Sequence, residues 1–175
     1  MSYLDEPPPY RAGGLVGVGA YGVSRVFGLN LWLPVLLSLV AYFGLRRFRP
    51  VLSESYRYGL AILSGQALWM VVGVMFVPEA LASVLIDIVA SAALLIWAVW
   101  RASKASAYGV VAFEVISLGV NFLAFLEVPQ LDSSNFALLV HMVMHVGVLI
   151  FVVHALLHGL VTHSADAGEM DEVFS

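Results

Sequence analysis

The residues with the clearest chemical potential in this chain are its five histidines, which all fall within residues 141 to 163. Four of them form two pairs with a spacing of four residues, His141 with His145 and His154 with His158. On a helix this spacing places both imidazoles of a pair on one face, which suits binding of zinc or copper and also proton transfer near neutral pH. The histidines interrupt an apolar stretch, where ionisable groups are costly and are therefore candidates for a function.

Polar residues that interrupt other apolar stretches extend this set of candidates. Glu114 and Asn121 are seven residues apart, so on a helix they share one face. The metal candidates are His141 and His145 together with Met144, whose soft thioether on the same face would favour copper(I). The candidates for a proton relay or polar cluster are Gln66, Asp87, Glu114, Asn121, His154 and His158.

The composition indicates the environment in which these residues act. Hydrophobic residues make up 61% of the 175-residue chain and charged residues 11%, and the mean hydropathy is +0.94. These values lie far outside the range of a soluble globular domain, so we expect an integral membrane protein. Cysteine is absent from the sequence, which excludes disulfides, thiolate metal sites and haem attached through cysteines. No basic run suggests a nucleic-acid partner.

Five apolar stretches of the sequence are long enough to cross a bilayer as helices. They lack the alternation of a membrane β-barrel, and helices satisfy their own backbone hydrogen bonds in lipid. We therefore predict an all-α fold, a polytopic bundle of five transmembrane helices joined by short loops within residues 26–162. A polar, Gly- and Pro-rich segment (1–25) precedes the bundle, and an acidic tail (163–175) follows it. The predicted spans are about 26–45, 59–78, 80–100, 109–128 and 137–162.

The basic residues are concentrated in two of the predicted connections. Six of the eight lysines and arginines lie between the first and second spans or between the third and fourth. By the positive-inside rule these connections are cytoplasmic. An odd number of spans then places the N-terminus outside the cell and the C-terminus in the cytoplasm, with the bundle in the plasma or inner membrane. Arg11 and Arg25 run against this trend on the outer side.

The predicted span ends also give each polar residue a depth in the bilayer. Asp87 lies about seven residues from the outer end of its span, and at 1.5 Å per residue this depth is level with His141 and His145. These three residues are therefore expected to meet near the outer surface. The two histidine pairs lie about 180° to 220° apart around their helix, so one straight pore lined by all four is not expected. A second cluster is expected near the inner surface, consisting of Glu114, Gln66, His154 and His158.

Four kinds of role are compatible with these groups. Zinc or copper would need a carboxylate from another helix beside His141 and His145. Haem needs axial histidines from different helices, so it would have to be shared with a partner subunit or across a homodimer. A proton relay would use Asp87, Glu114 and the imidazoles. In the fourth role, the histidines only hydrogen-bond across helix interfaces.

The sequence contains no complete catalytic motif, so we expect a protein without catalysis of its own. The expected function is that of a small non-catalytic subunit of a larger membrane complex, in which it supports assembly, cofactor placement or proton movement. Its partners would be the lipid bilayer and other membrane subunits or further copies of itself. Two alternatives stay open: an independent oligomeric transporter or channel for protons or metal ions, and a membrane redox protein that binds metal or haem.

Overall fold

A computed structural model of the chain describes residues 32–76, 78, 81–126 and 133–162. The predicted N-terminal segment and the acidic tail lie outside the described residues. Apart from a single antiparallel bridge between Leu52 and Val161, the described part is helical, which confirms the all-α prediction for these residues. The helices are α1 (Trp32–Phe48), α2 (Glu54–Phe76), α3 (Leu81–Trp100), α4 (Lys104–Leu126) and α5 (Ser133–His158).

Three helices begin earlier than the apolar stretches predict: α5 by four residues, and α2 and α4 by five residues each, with a serine cap at the start of these two. The hydroxyl oxygen of Ser53 accepts a hydrogen bond from the backbone N–H of the third residue of α2 (3.4 Å). Ser103 does the same for the third residue of α4 (3.2 Å). A serine in this position satisfies a backbone donor that the first helical turn leaves without a partner. As a result α2 begins at Glu54 and α4 at Lys104, each five residues before its predicted span.

Three of the helices are long and apolar enough to cross a membrane. α2 meets this condition over Glu54–Met75, α4 over Lys104–Leu126 and α5 over Leu138–His158. α3 contains a shorter apolar stretch, Val84–Trp100. The 17 described residues of α1 form a helix about 25 Å long. Length and composition therefore support three membrane-spanning helices among the described residues.

The helices form a closed ring with one helix outside it. α2 packs against α3, α3 against α4, α4 against α5, and α5 packs back against α2, while α1 lies against α2. Because consecutive helices are joined by short connections, neighbours in the ring run antiparallel. Helices in a bilayer are held together mainly by close packing and interhelical hydrogen bonds. The interior of this ring is consequently the place where polar side chains find partners.

Three segments lie at one end of the bundle, here called the basic end: the α1–α2 connection, the α3–α4 connection and the residues that follow α5. The backbone N–H of Thr162 donates to the carbonyl oxygen of Val51 (2.9 Å), and that of Ser53 donates to Leu160 (2.9 Å). These bonds tie the residues after α5 to the connection between α1 and α2. The six basic residues of the described chain lie at this end, in the connections or the adjoining helix turns: Arg46, Arg47, Arg49, Arg57, Arg101 and Lys104.

The half of the ring interior nearest the basic end is apolar and closely packed. α2 and α5 approach each other at Gly59, where an added Cβ would lie 2.6 Å from Cγ2 of Val152. A larger residue would therefore separate the two helices. The apolar side chains of this half are almost completely buried: Leu52, Leu60, Leu63, Ala98, Ala107, Val110, Val148, Val152, Ala155 and Leu160.

Candidate functional site

The centre of the ring holds a direct contact between a carboxyl group and an imidazole. Nδ1 of His145 lies 2.5 Å from Oε2 of Glu114, and the two side chains are 3% and 0% exposed. Glu114 is the eleventh of the 23 residues of α4, and His145 is the thirteenth of the 26 residues of α5. The pair thus lies midway along both helices, at the depth where an ionisable group is most costly in a bilayer.

Asn121 completes this arrangement from the same face of α4. Its carboxamide nitrogen lies 3.1 Å from Nε2 of His145, so both ring nitrogens of the imidazole are engaged. Asn121 and Glu114 are both 0% exposed, and Ser117 between them is also buried. The spacing of Glu114, Ser117 and Asn121 follows the three-to-four-residue repeat of a helix, and this polar face of α4 points into the ring.

The orientation of Asn121 defines the protonation state that this geometry represents. An amide nitrogen only donates, so Nε2 of His145 accepts and carries no hydrogen. The hydrogen of the neutral imidazole then lies on Nδ1 and is donated to Glu114. The proton-poor state of the pair is the one in which the Glu114 carboxyl group is also ionised, so that the pair carries one net negative charge.

A single added proton makes the pair neutral and reverses the role of Asn121. The proton can produce a carboxylic acid beside a neutral imidazole, or a carboxylate beside an imidazolium. In both distributions Nε2 carries a hydrogen and needs an acceptor. Asn121 provides one through Oδ1 once its carboxamide rotates by about 180°. The two ring nitrogens of His145 can therefore keep a partner in both protonation states without moving a helix, while Oε1 of Glu114 and Oδ1 of Asn121 have no partner within the described chain.

A small cavity adjoins the Glu114–His145 pair. Its volume is about 10 Å³, close to the least space that one water molecule needs. Buried polar atoms around it have no protein partner within the described chain: Nδ1 of His141 and both amide atoms of Gln66. A buried polar group without a hydrogen-bond partner lowers the stability of a protein by about 1–3 kcal/mol. This cost favours a water molecule in the cavity that bonds to these groups. The cavity is lined by Leu63, Gln66, Met70, Asp87, Ser91, Phe113, Ser117, His141 and His145.

His141 lies one helical turn from His145 and contacts it edge to face. The ring centroids are 4.4 Å apart and the ring planes form an angle of 86°. The other side of His141 contacts Trp69, with ring centroids 5.9 Å apart. The structure thus brings Asp87, His141 and His145 to one cavity, with His145 midway along its helix rather than near the outer surface.

Glu114 and Gln66 do not lie near His154 and His158 at the inner surface, where the sequence analysis expected them. Glu114 contacts His145 rather than His154 and His158, and Gln66 lines the cavity at the bundle centre rather than the inner surface. The physical reason is the serine capping of α2 and α4. Five additional residues at each helix start move Glu114 and Gln66 about 7.5 Å deeper than the apolar stretches imply.

The second histidine pair lies at the surface of the basic end. Both rings are exposed, and they stack with centroids 4.1 Å apart. Nδ1 of His154 lies 2.9 Å from the hydroxyl of Ser55, and Nδ1 of His158 donates to the carbonyl oxygen of His154 (2.9 Å). Nine residues separate His154 from His145, about 13.5 Å along α5. These histidines therefore do not contribute to the central site.

Two of the three predicted metal ligands, His145 and Met144, have other contacts in the structure. His145 uses both ring nitrogens for Asn121 and Glu114, so it would have to release one of them to bind a metal. Met144 belongs to an apolar cluster with Trp69 and residues of α1, α2 and α5. In the described residues there is no group of three or more His, Asp, Glu or Cys side chains that could hold a metal ion.

Two serines of the cavity were not identified from the sequence. Ser91 and Ser117 line it, and the hydroxyl of Ser91 donates to the backbone carbonyl of Asp87. A serine inside an apolar helix commonly bonds to its own helix in this way, so its presence alone indicates little. For Ser117, the position three residues after Glu114 and four before Asn121 was the available signal.

Comparison with protein-family models, curated proteins and solved structures finds no match for this chain, so its function has to be inferred from the geometry around Glu114 and His145.

Proposed function

We propose that this chain is a five-span membrane protein whose buried Glu114–His145 pair binds and transfers a proton, and that it acts as a non-catalytic subunit of a larger membrane complex. The observation that carries the proposal is the 2.5 Å contact between two ionisable side chains at the centre of an apolar bundle. A structural role for these positions would be met by apolar residues of similar volume, at no cost of burying charge.

The membrane part of the proposal starts from the three helices with sufficient length and apolar character. We add α3, whose 20 residues carry one charged side chain, Asp87, and α1, whose described part leads into the basic end. The concentration of arginine and lysine at the basic end supports its assignment to the cytoplasm. The N-terminus is then outside the cell and the C-terminus inside.

The proton-binding part follows from the two hydrogen-bonding states of the pair. In the proton-poor state Asn121 donates to His145, and in the proton-loaded state it accepts from His145. Because all three side chains are buried, the low dielectric strengthens these bonds. The site can therefore exchange one proton while keeping every ring nitrogen hydrogen-bonded.

Proton uptake by the purified protein tests this proposal. Infrared difference spectra recorded in lipid nanodiscs, with isotopically labelled glutamate, should show one carboxyl–imidazole system that changes state as the pH is lowered. Glu114→Gln should abolish this change. Glu54→Gln is the matched control, since Glu54 is an exposed carboxyl at the basic end and its loss should leave the central signal intact. Identical spectra for the wild type and Glu114→Gln would contradict the proposal.

The independent oligomeric transporter is the second candidate, and the cavity that joins the pair to Asp87 is the observation that favours it. The two candidates differ in what the chain does alone. A subunit should co-purify with other membrane proteins from its native host and carry no proton flux alone in liposomes. An independent transporter should acidify liposomes without a partner and lose that activity in Glu114→Gln.

A further inference from the structure

We propose that the buried pair exchanges its proton with only one end of the bundle, the end at which α3 and α5 begin, and that Asp87 is the residue through which it does so. This inference rests on the proposed function, because it specifies the route to the same site. The opposite route, toward the basic end, is closed by apolar side chains.

The open side is defined by Asp87 and the cavity. Asp87 is the seventh residue of α3, about 9 Å along the helix from Leu81. Its side chain is partly exposed and lines the same cavity as His145. The carboxyl group of Asp87 thus lies between the helix start and the cavity, where the proposal has it accept a proton from the outer side and release it inward.

The cavity provides the short connection between Asp87 and the pair. Its volume of about 10 Å³ suits one water molecule. Gln66 and His141 offer buried donors and acceptors that have no protein partner in the described chain. A water there would bond to these groups beside His145, and the proton would enter the pair when one ring nitrogen of His145 exchanges its partner for this water.

The closed side is an apolar plug formed by Leu60, Val110, Val148 and Val152, each 0% exposed. Val110 lies four residues from Glu114 toward the basic end, about 6 Å along α4, and Val148 lies about 4.5 Å beyond His145 on α5. Apolar constrictions exclude water and so block proton movement.

The titratable groups facing the pair support this direction of access. α3 contributes Asp87, α4 contributes Glu114 itself, and α5 contributes His141. The titratable residues of α2 all lie within its first five positions, on the far side of the plug. Among these, the hydroxyl of Tyr56 is buried without a partner in the described chain and does not extend to the cavity.

Trp69 provides a built-in reporter for the experiment, because it contacts His141 and is 1% exposed. The three other tryptophans are all exposed, and replacing them by phenylalanine leaves Trp69 as the single tryptophan, which is excited selectively at long wavelength: Trp32→Phe, Trp97→Phe and Trp100→Phe. The protein is reconstituted in vesicles sorted by access to a C-terminal affinity tag. Stopped-flow acidification of one side at a time then shows which side changes the fluorescence.

The wild type should respond when the side opposite the C-terminus is acidified and not when the C-terminal side is. Asp87→Asn should slow the response by about 100-fold. Opening the plug with Val110→Ser and Val148→Ser should create a response to the C-terminal side, whereas Val115→Ser, on the exposed face of α4, should not. The response of the plug variants is measured by Trp69 fluorescence in vesicles. Circular dichroism of the same samples shows whether each variant is folded.

Two results would overturn the inference, and each is distinguishable from failure of the proposed function. An equal response to both sides, abolished by Glu114→Gln, contradicts one-sided access while leaving the proton-binding pair intact. An unchanged rate in Asp87→Asn contradicts the role of Asp87. A response that persists in Glu114→Gln contradicts the proposed function itself.

Discussion

The carboxamide nitrogen of Asn121 lies 3.1 Å from Nε2 of His145, and this contact links the protonation of the imidazole to the orientation of a neighbouring amide. An asparagine serves both protonation states because it carries a donor and an acceptor on one carbon. Residues that carry only one of these functions, or neither, should favour one state or destabilise the site.

Asn121→Asp should convert the site to one that requires a hydrogen on Nε2, because a carboxylate only accepts. We expect Nε2 of His145 to carry a hydrogen in this variant, which ¹⁵N NMR of the two ring nitrogens measures. Asn121→Leu should leave Nε2 without a partner and lower stability by about 1–3 kcal/mol. Equal ring-nitrogen shifts in the wild type and Asn121→Asp would show that the amide does not respond to the proton.

Removal of one member of the central pair should be strongly destabilising. Glu114→Ala or His145→Ala should each lower the free energy of unfolding by about 3–5 kcal/mol, because the remaining group is left buried without its partner. The double variant should cost much less than the sum of the two. Unfolding by denaturing detergent, followed by circular dichroism, measures this double-mutant cycle. Additive effects would indicate that the two side chains act independently.

The close approach of α2 and α5 makes Gly59 sensitive to a single methyl group. Gly59→Ala should lower stability by about 1–3 kcal/mol, since the added Cβ would lie 2.6 Å from Val152. Gly44→Ala on α1 is the matched control. It has no atom within 4 Å of the added Cβ and should be neutral or stabilising by up to about 1 kcal/mol. Thermal unfolding in the same detergent compares the two.

Divalent zinc should bind at the basic end rather than at the centre. In this stacked pair, Nδ1 of His154 bonds to Ser55 and Nδ1 of His158 bonds to the carbonyl oxygen of His154. The Nε2 atom of neither ring bonds to a described residue, so both are available to zinc. We expect weak zinc binding, measured by calorimetry, that is lost in His154→Ala with His158→Ala and retained in His141→Ala. Loss of binding in His141→Ala would instead restore the metal hypothesis for the central pair.

Helical periodicity was sufficient to predict several features of the site. The seven-residue spacing of Glu114 and Asn121 predicts their common face, and the depth of Asp87 predicts its approach to His141 and His145. The first feature depends on geometry within one helix, and the second is approximate, because α5 begins four residues before its predicted span. The all-helical fold likewise follows from composition and stretch length.

The contact between Glu114 and His145 could not be derived in the same way. It depends on the serine at position 103, which starts α4 five residues before the apolar stretch. It depends further on which helices are neighbours in the ring. Apolar helices in lipid have similar faces, so a single sequence carries little information on their order around the bundle.

The ring closes through contacts between α5 and both α2 and α4, and this has a consequence for biosynthesis. Glu114 is translated 31 residues before His145, a delay of roughly 2–6 s at usual elongation rates. During this interval α4 enters the translocation machinery with an unpaired carboxyl group. Arrival of the last helix supplies its partner, so a chain truncated before His145 would retain a polar helix that quality-control systems recognise as unassembled.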